Sequence, residues 1–242
     1  MAQQLETRPK HPMPFTRLEV CVLGLNDHRL QVLLGKREAP PYQGRWALPG
    51  GVLRIDLDET LDDGARRVMR ERLALELPFM RQLVSVGGKY RDQDRSPWAL
   101  SVVYRALVWQ ADVKPLAGKR LSDLAWRDVE DAATDVKLAF DHRELVALAV
   151  EKTRQEVAEM ELPVGFLPKA FTLGELQSIC ERILGRALDK SSFRRKLSDR
   201  GLVQPIEGEM RGGANRPAQL FELCHRVPPA GQSRADTGTK PV

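Results

Sequence analysis

The sequence predicts an α/β domain followed by a smaller domain made of two short helices and a β-hairpin. Three observations predict it. Before residue 163, strand-length apolar runs alternate with stretches of helical periodicity, so sheet and helices must share one core. At 161–171, ELPVGFLPKAF concentrates two prolines and a glycine, the composition of a boundary. Beyond it, two capped helical segments precede two apolar runs that flank a basic, Gly-rich loop. A chain of 242 residues accommodates two domains at roughly 100–200 residues each.

The elements follow in order. RLEVCVLGL and LQVLLGKRE, separated by Asn26-Asp27-His28-Arg29, read as two strands around a turn. GRWALPGG is a strand entering a Gly-rich loop. TLDDGARRVMRERLALEL reads as a helix, with Thr60 as N-cap and Asp62 and Asp63 against the positive end of its dipole. RQLVSVGG, LSVVYRALVW and DLAWRDV are further strands, and DHRELVALAVEKTRQEVAEM is a long amphipathic helix opened by Asp141. In the smaller domain, Leu173, Leu176, Ile179, Cys180 and Ile183 form one stripe of a helix that starts with the capping box Thr172/Glu175 and stops at Gly185. Asp189 caps a second helix that ends at Gly201. LVQPIE, the loop GEMRGGANRP and AQLFEL complete a hairpin. The expected organisation is a disordered N-terminus over 1–14, domains over 15–162 and 163–228, and a disordered tail over 229–242.

Composition narrows the functional classes. Hydrophobic residues make up 42 % and charged residues 29 %, enough apolar material for a true core. The net charge of +5 permits a nucleic-acid partner without requiring one. Cys21, Cys180 and Cys224 have no metal-ligand spacing and sit among apolar neighbours, which predicts buried free thiols in a reducing compartment. The opening MAQQLETRPKHPMP lacks an apolar signal core, and no apolar run approaches the roughly 18 residues of a membrane span. The expectation is a soluble cytoplasmic protein with no membrane contact, no metal and no cofactor.

The first segment carrying chemistry is GRWALPGG with the helix after it. This pairing resembles the Nudix family, whose α/β/α sandwich fold the first domain is then expected to share. In that signature, glutamates at i, i+3 and i+4 share one helix face and hold divalent cations against a substrate diphosphate. Here the pattern fails selectively. Glu59 stands two residues further from Gly51 than the signature requires, and Arg67 follows Glu59 at the expected spacing. The resemblance makes Glu59 and Arg67 the pair that braces loop against helix. Val68 and Arg72 stand where two of the three metal-facing glutamates are expected, and only Glu71 remains. One carboxylate beside a guanidinium cannot build a magnesium site, so no catalytic residue is assigned. A divergent hydrolase recruiting Asp56, Asp58 or Asp62 is the competing reading. Arg72 supplies positive charge that pairs with phosphate oxygens without a metal. The candidate effector-binding residues are Arg37, Arg45, Trp46, Gly50, Gly51, Glu71, Arg72 and Arg91.

The second segment is the basic helix. Phe193 and Leu197, at i and i+4, mark its buried side. Ser191 and Arg195 fall nearly opposite, flanked by Ser192 and Arg194, with Lys190 in the first turn. Small polar residues permit close approach to a groove, and arginine pairs with guanine or phosphate. The following loop supplies Arg211, Asn215 and Arg216 as a wing onto phosphates. Residues 165–228 carry eleven basic against seven acidic side chains, most of the chain's surplus. Helix, turn, basic helix and basic hairpin in that order predict a C-terminal winged helix-turn-helix domain that binds double-stranded DNA.

Taken together, GRWALPGG, KYRDQDRSPWALSVVYRAL, LAFDHRELVALAV, FLPKAFTLGELQSICERILGRALDKSSFRRKL and NRPAQLFEL resemble the Nudix-related transcriptional regulators of NAD metabolism over residues 16–225. The resemblance implies a homodimeric repressor that binds a palindromic operator and is released by an ADP-ribose-like effector. The alternatives are a nucleoside-diphosphate hydrolase with an accessory domain, and a sugar-sensing regulator of the same wider family.

Overall fold

The structure, a computed structural model, describes residues 13–26, 28–77, 79–89, 91, 96–212 and 217–224. The expected disorder at 1–12 and 229–242 lies outside the described residues, as do Asn215 and Arg216 of the expected wing. The chain divides into two compact units, one containing residues 31–150 and the other residues 151 onward.

The first unit is built on β1 (Phe15–Leu25), whose burial over most of its length fits a strand covered on both faces. It pairs in parallel with β6 (Ala99–Trp109) along its whole length, Phe15 opposite Ala99 through Leu25 opposite Trp109. Outside this pair the sheet continues as β2 (Leu30–Arg37) and β3 (Trp46–Ala47) on one side and β5 (Met80–Gly88) on the other, in the order β3-β2-β1-β6-β5. The short β4 (Gly50–Val52) lies antiparallel to β1, with Arg17 opposite Val52 and Glu19 opposite Gly50. The last strand, β7 (Leu121–Asp128), lies antiparallel to β2. The sheet is therefore mixed, and β1 is what brings the Gly-rich loop to its position.

Helix α1 (Leu61–Leu73) buries Ala65, Val68, Met69 and Leu73 in a core that includes Leu18, Val20, Val102 and Tyr104 of the sheet. Each large side chain withdrawn this way stabilises the fold by about 1.5–3 kcal/mol. A Cβ on Gly64 would lie 2.4 Å from Leu18 Cδ1, so the helix sits this close to β1 only because Gly64 has no side chain. Thr60 caps the helix as expected, accepting the Asp63 N–H at 3.1 Å. The helix is shorter than its periodicity suggested. Ala74 adopts a left-handed conformation (φ 53°) that ends the ladder, while Leu75 and Leu77 go on contributing to the core as irregular chain. After α2 (Val129–Thr134) comes the long helix α3 (His142–Ala158).

The division between units falls inside α3, earlier than the proline-bearing stretch at 163. The last turns of α3 belong with the smaller unit: Arg154 Nε donates to the Ile183 carbonyl at 3.0 Å. In that unit, α4 (Leu173–Leu184) has the expected capping box, with Glu175 N–H to Thr172 Oγ1 at 3.1 Å and Thr172 N–H to Glu175 Oε2 at 2.8 Å. It ends at Gly185 (φ 67°), and Leu176, Ile179, Cys180 and Ile183 are buried. Asp189 caps α5 (Lys190–Asp199) by accepting the Ser192 N–H at 2.7 Å. The hairpin joins β8 (Val203–Arg211) and β9 (Ala218–Leu223), antiparallel. Strand β8 is longer than expected, since GEMR belongs to it and not to a loop. Its register shifts between Pro205 and Met210, as suits a stretch whose proline has no N–H to give. Among the described residues, no helix is long and apolar enough to cross a membrane.

Candidate anion cleft and nucleic-acid interface

The loop after β4 is braced onto α1, though not by the expected pair. Asp58, with a side chain only 1 % exposed, receives Arg67 Nε at 2.6 Å and Arg67 Nη2 at 2.8 Å. The same Nη2 donates to the Val52 carbonyl at 2.9 Å, and the bond from Arg67 holds the Asp58 carboxyl below the usual carboxylate range. Glu59 is exposed. The inserted residues move the chain so that Asp58, one position earlier than the signature spacing suggested, reaches the arginine.

Beside this brace lies an open, polar cleft. Its lining includes Arg17, Arg37, Gly50, Gly51, Arg72 and Arg120. Arg72 is anchored by two backbone carbonyls, Nε to Gly50 at 2.8 Å and Nη1 to Lys119 at 2.5 Å. Burial, together with the nearby Arg120, lowers the Arg72 pKa, because its charge is held where water solvates it poorly. Val68 is fully packed, and a Cβ on Gly51 would meet its Cγ2 at 2.8 Å. The position of one family glutamate is thus apolar core, and that of another is a guanidinium. The cleft lining holds four arginines and no carboxylate. The three aspartates that could have replaced the lost ligands are engaged elsewhere: Asp56 with Arg54, Asp58 with Arg67, and Asp62 accepting from Tyr104 Oη at 2.6 Å. These side chains do not fit a divalent cation, and among the described residues no cluster of three or more His, Cys, Asp or Glu could hold one.

Of the candidate residues, Arg37, Gly50, Gly51 and Arg72 come together in the cleft. Arg45, Trp46, Glu71 and Arg91 are not among its lining residues. Arg45 is exposed, 5.4 Å from the Tyr42 ring, and the half-buried Trp46 ring carries Arg127 at 5.0 Å. Glu71 faces Arg67 at 3.6 Å. Arg91 pairs with Asp141 and reaches Glu19 at 3.3 Å. It therefore belongs to a buried network behind the Gly-rich loop. Burial alone would raise the Glu19 pKa, but His142, Arg17 and Arg91 together bring it down to about 2. His142 Nδ1 accepts the Leu48 N–H at 2.9 Å, which ties the start of α3 to the loop. Sequence reasoning missed Arg17 and Arg120. Arg17 is an ordinary strand residue until β4 pairs with β1, and Arg120 (φ 63°) occupies a turn whose path only the fold defines.

In the smaller unit, Phe193 and Leu197 are buried, while Lys190, Ser191, Arg194 and Arg195 are exposed and Ser192 half-buried. The outer face of α5 is therefore the small, polar, cationic surface expected. Arg211 differs from expectation. It is the last residue of β8, its Nη1 pairs with Glu175, and its Nη2 donates to the Ala170 carbonyl at 3.2 Å. Its fork is spent on the start of α4.

An α/β domain whose Gly-rich loop is braced onto a following helix, joined to a capped helix pair and a hairpin, defines the class: a Nudix-fold domain fused to a winged helix. Residues 15–149 match the NUDIX domain family, and residues 163–223 match the NrtR DNA-binding winged helix domain. The chain belongs to the NrtR family of Nudix-related transcriptional regulators. It is 32 % identical over 215 residues to the ADPR responsive transcriptional repressor NtrR of Acinetobacter baylyi, covering 88 % of this chain and 84 % of that protein. It resembles Shewanella oneidensis NrtR solved with a 27mer DNA at 31 % identity and a TM-score of 0.68, over 86 % of this chain and 93 % of that one. The NUDIX domain of the same Shewanella protein, solved with ADP ribose, is 31 % identical with a TM-score of 0.55, over 61 % of this chain and 94 % of that one.

Proposed function

We propose that this protein is a cytoplasmic, homodimeric transcriptional repressor of NAD metabolism genes, whose Nudix-fold domain senses ADP-ribose or a related nucleotide without hydrolysing it. One observation carries the reading: the cleft lining has four arginines and no carboxylate, with Arg72 in a metal-ligand position. A diphosphate is doubly anionic and needs either bound cations or fixed guanidiniums. Arg72, with its Nε and Nη1 tied to carbonyls, is positioned in advance and loses little freedom on binding. Hydrolysis requires cations to polarise the diphosphate and activate water, and this donor set does not fit them. The relatives solved with DNA and with ADP ribose support the partner classes. A symmetric dimer places two α5 helices in successive major grooves of a palindrome, with Ser191 and Arg195 toward base edges.

Calorimetry with ADP-ribose tests the sensing half. Binding is expected to be equal in EDTA and in magnesium, and Arg72→Ala is expected to weaken it roughly tenfold, about 1.4 kcal/mol. AMP release at a kcat of about 1 per second or more would identify an enzyme instead. Unchanged affinity in Arg72→Ala would remove that residue from the site.

A further inference from the structure

We propose that Phe140 is a positioning residue of the effector site, its ring setting the two cleft arginines Arg17 and Arg37; this rests on the reading of the cleft as a diphosphate site. Arg17 Cζ lies 5.2 Å from the Phe140 ring centroid and Arg37 Cζ lies 5.0 Å from it. Both arginines line the cleft, whereas Phe140 does not. Guanidiniums at these distances are held by the ring's negative face. One aromatic side chain therefore serves two like charges that come from different strands, β1 and β2, and that would otherwise repel each other.

The ring is itself fixed from several directions. Tyr42 meets it edge-on at 4.7 Å between centroids, and the His142 ring lies at 5.2 Å. His142 is in turn bonded to the loop through Leu48 N–H. Arg37 Nε donates to the Pro41 carbonyl at 2.7 Å, which leaves the plane of its fork defined as well as its position. Phe140 also has φ 56°, a left-handed conformation that is costly for a bulky residue and persists only where its surroundings impose it. In this conformation, just before α3 begins, the ring lies against both arginines. Prepaid ordering of this sort strengthens ligand binding, since two long side chains no longer have to be immobilised when the anion arrives.

Substitution at this position separates the ring from the strain. Leucine, tyrosine and phenylalanine all bear a Cβ and meet the same φ penalty, so Phe140→Leu removes the π face and Phe140→Tyr retains it. ADP-ribose affinity is measured by calorimetry on the full chain, with inorganic pyrophosphate as a second probe and thermal unfolding as a control for folding. Phe140→Leu is expected to weaken ADP-ribose binding roughly tenfold, the order of two lost cation–π contacts, and Phe140→Tyr to stay within about twofold of the parent. In a background of Arg17→Ala with Arg37→Ala, Phe140→Leu is expected to cost nothing further, because the ring acts only through those two groups. Unchanged affinity in Phe140→Leu, equal loss in the leucine and tyrosine variants, or full additivity in the triple variant would each overturn the assignment. A parent protein that binds neither ADP-ribose nor pyrophosphate would overturn the reading of the cleft itself, and the role of Phe140 with it.

Discussion

Arginines crowd two regions of this molecule and are treated in opposite ways. In the cleft, Arg72 gives N–H groups to backbone carbonyls and Arg37 is held by a carbonyl and a ring, while in the brace beside it Arg67 is tied to the Asp58 carboxylate. On α5, Arg194 and Arg195 stand exposed on a short helix capped by Asp189 and seated on Phe193 and Leu197. The difference fits the ligands proposed for the two regions. A small dianion touches few groups, so each must be in place beforehand to repay the entropy of binding. A DNA duplex presents a continuous rod of charge, and binding is driven by counterion release, which tolerates mobile side chains. Half-buried, fixed arginines thus distinguish the cleft region, and exposed arginines over an apolar base distinguish α5.

The comparison breaks most sharply at the Asp58–Arg67 brace. Asp58→Ala leaves a guanidinium only 13 % exposed without its carboxylate, and is expected to destabilise the first unit by about 3 kcal/mol. Differential scanning calorimetry checks this, and an unchanged unfolding midpoint would show the brace to be dispensable. Glu59→Ala, once the expected brace, should leave the midpoint within about 0.5 kcal/mol of the parent.

Acid sharpens the same contrast. Glu19 has a folded pKa of about 2 against an ordinary value of 4.5, so it contributes stability above 4.5 that disappears as pH falls toward 2. Unfolding followed from pH 5 to pH 2 should show a loss on the order of a few kcal/mol. Glu19→Gln should flatten that slope, and an equal slope in both proteins would deny the network its role.

On α5 the expected effects are smaller and are seen in DNA binding. Arg195→Ala should cost roughly 1–3 kcal/mol on operator DNA and relax the preference at one base position. Arg194→Ala should weaken operator and scrambled DNA alike and reduce the salt slope by about one unit. Fluorescence anisotropy at several salt concentrations separates them, and a reversed pattern would exchange reader for clamp.

The smallest effect belongs to Arg211. Its partner Glu175 is 40 % exposed, so the pair is worth at most about 1 kcal/mol. Arg211→Ala should change DNA affinity less than Arg195→Ala does. A loss as large as that of Arg195→Ala would mean that Arg211 leaves Glu175 for phosphate.

Much of this protein was determined by local chemistry and so was legible in the sequence. The caps Thr60, Thr172 and Asp189, the stop at Gly185 and the buried stripe of α4 depend on neighbours within a turn or two, and they formed where the sequence placed them. The placement of Val68 and Arg72 on the helix was equally legible, because both fall at fixed helical spacings from Arg67: Val68 is packed in the core and Arg72 lines the cleft. Tertiary structure decided the rest. Which acid braces Arg67 depended on the path of an insertion, and Asp58 displaced Glu59. Arg17 and Arg120 entered the cleft because β4 pairs with β1 and a turn delivers residue 120, contacts between positions far apart in the chain. Arg91 left the candidate site because Glu19 and Asp141, from two other elements, neutralise it inside the protein. Helical periodicity specifies which side of a segment is buried, but the partner of a long charged side chain is set by where the other segments arrive.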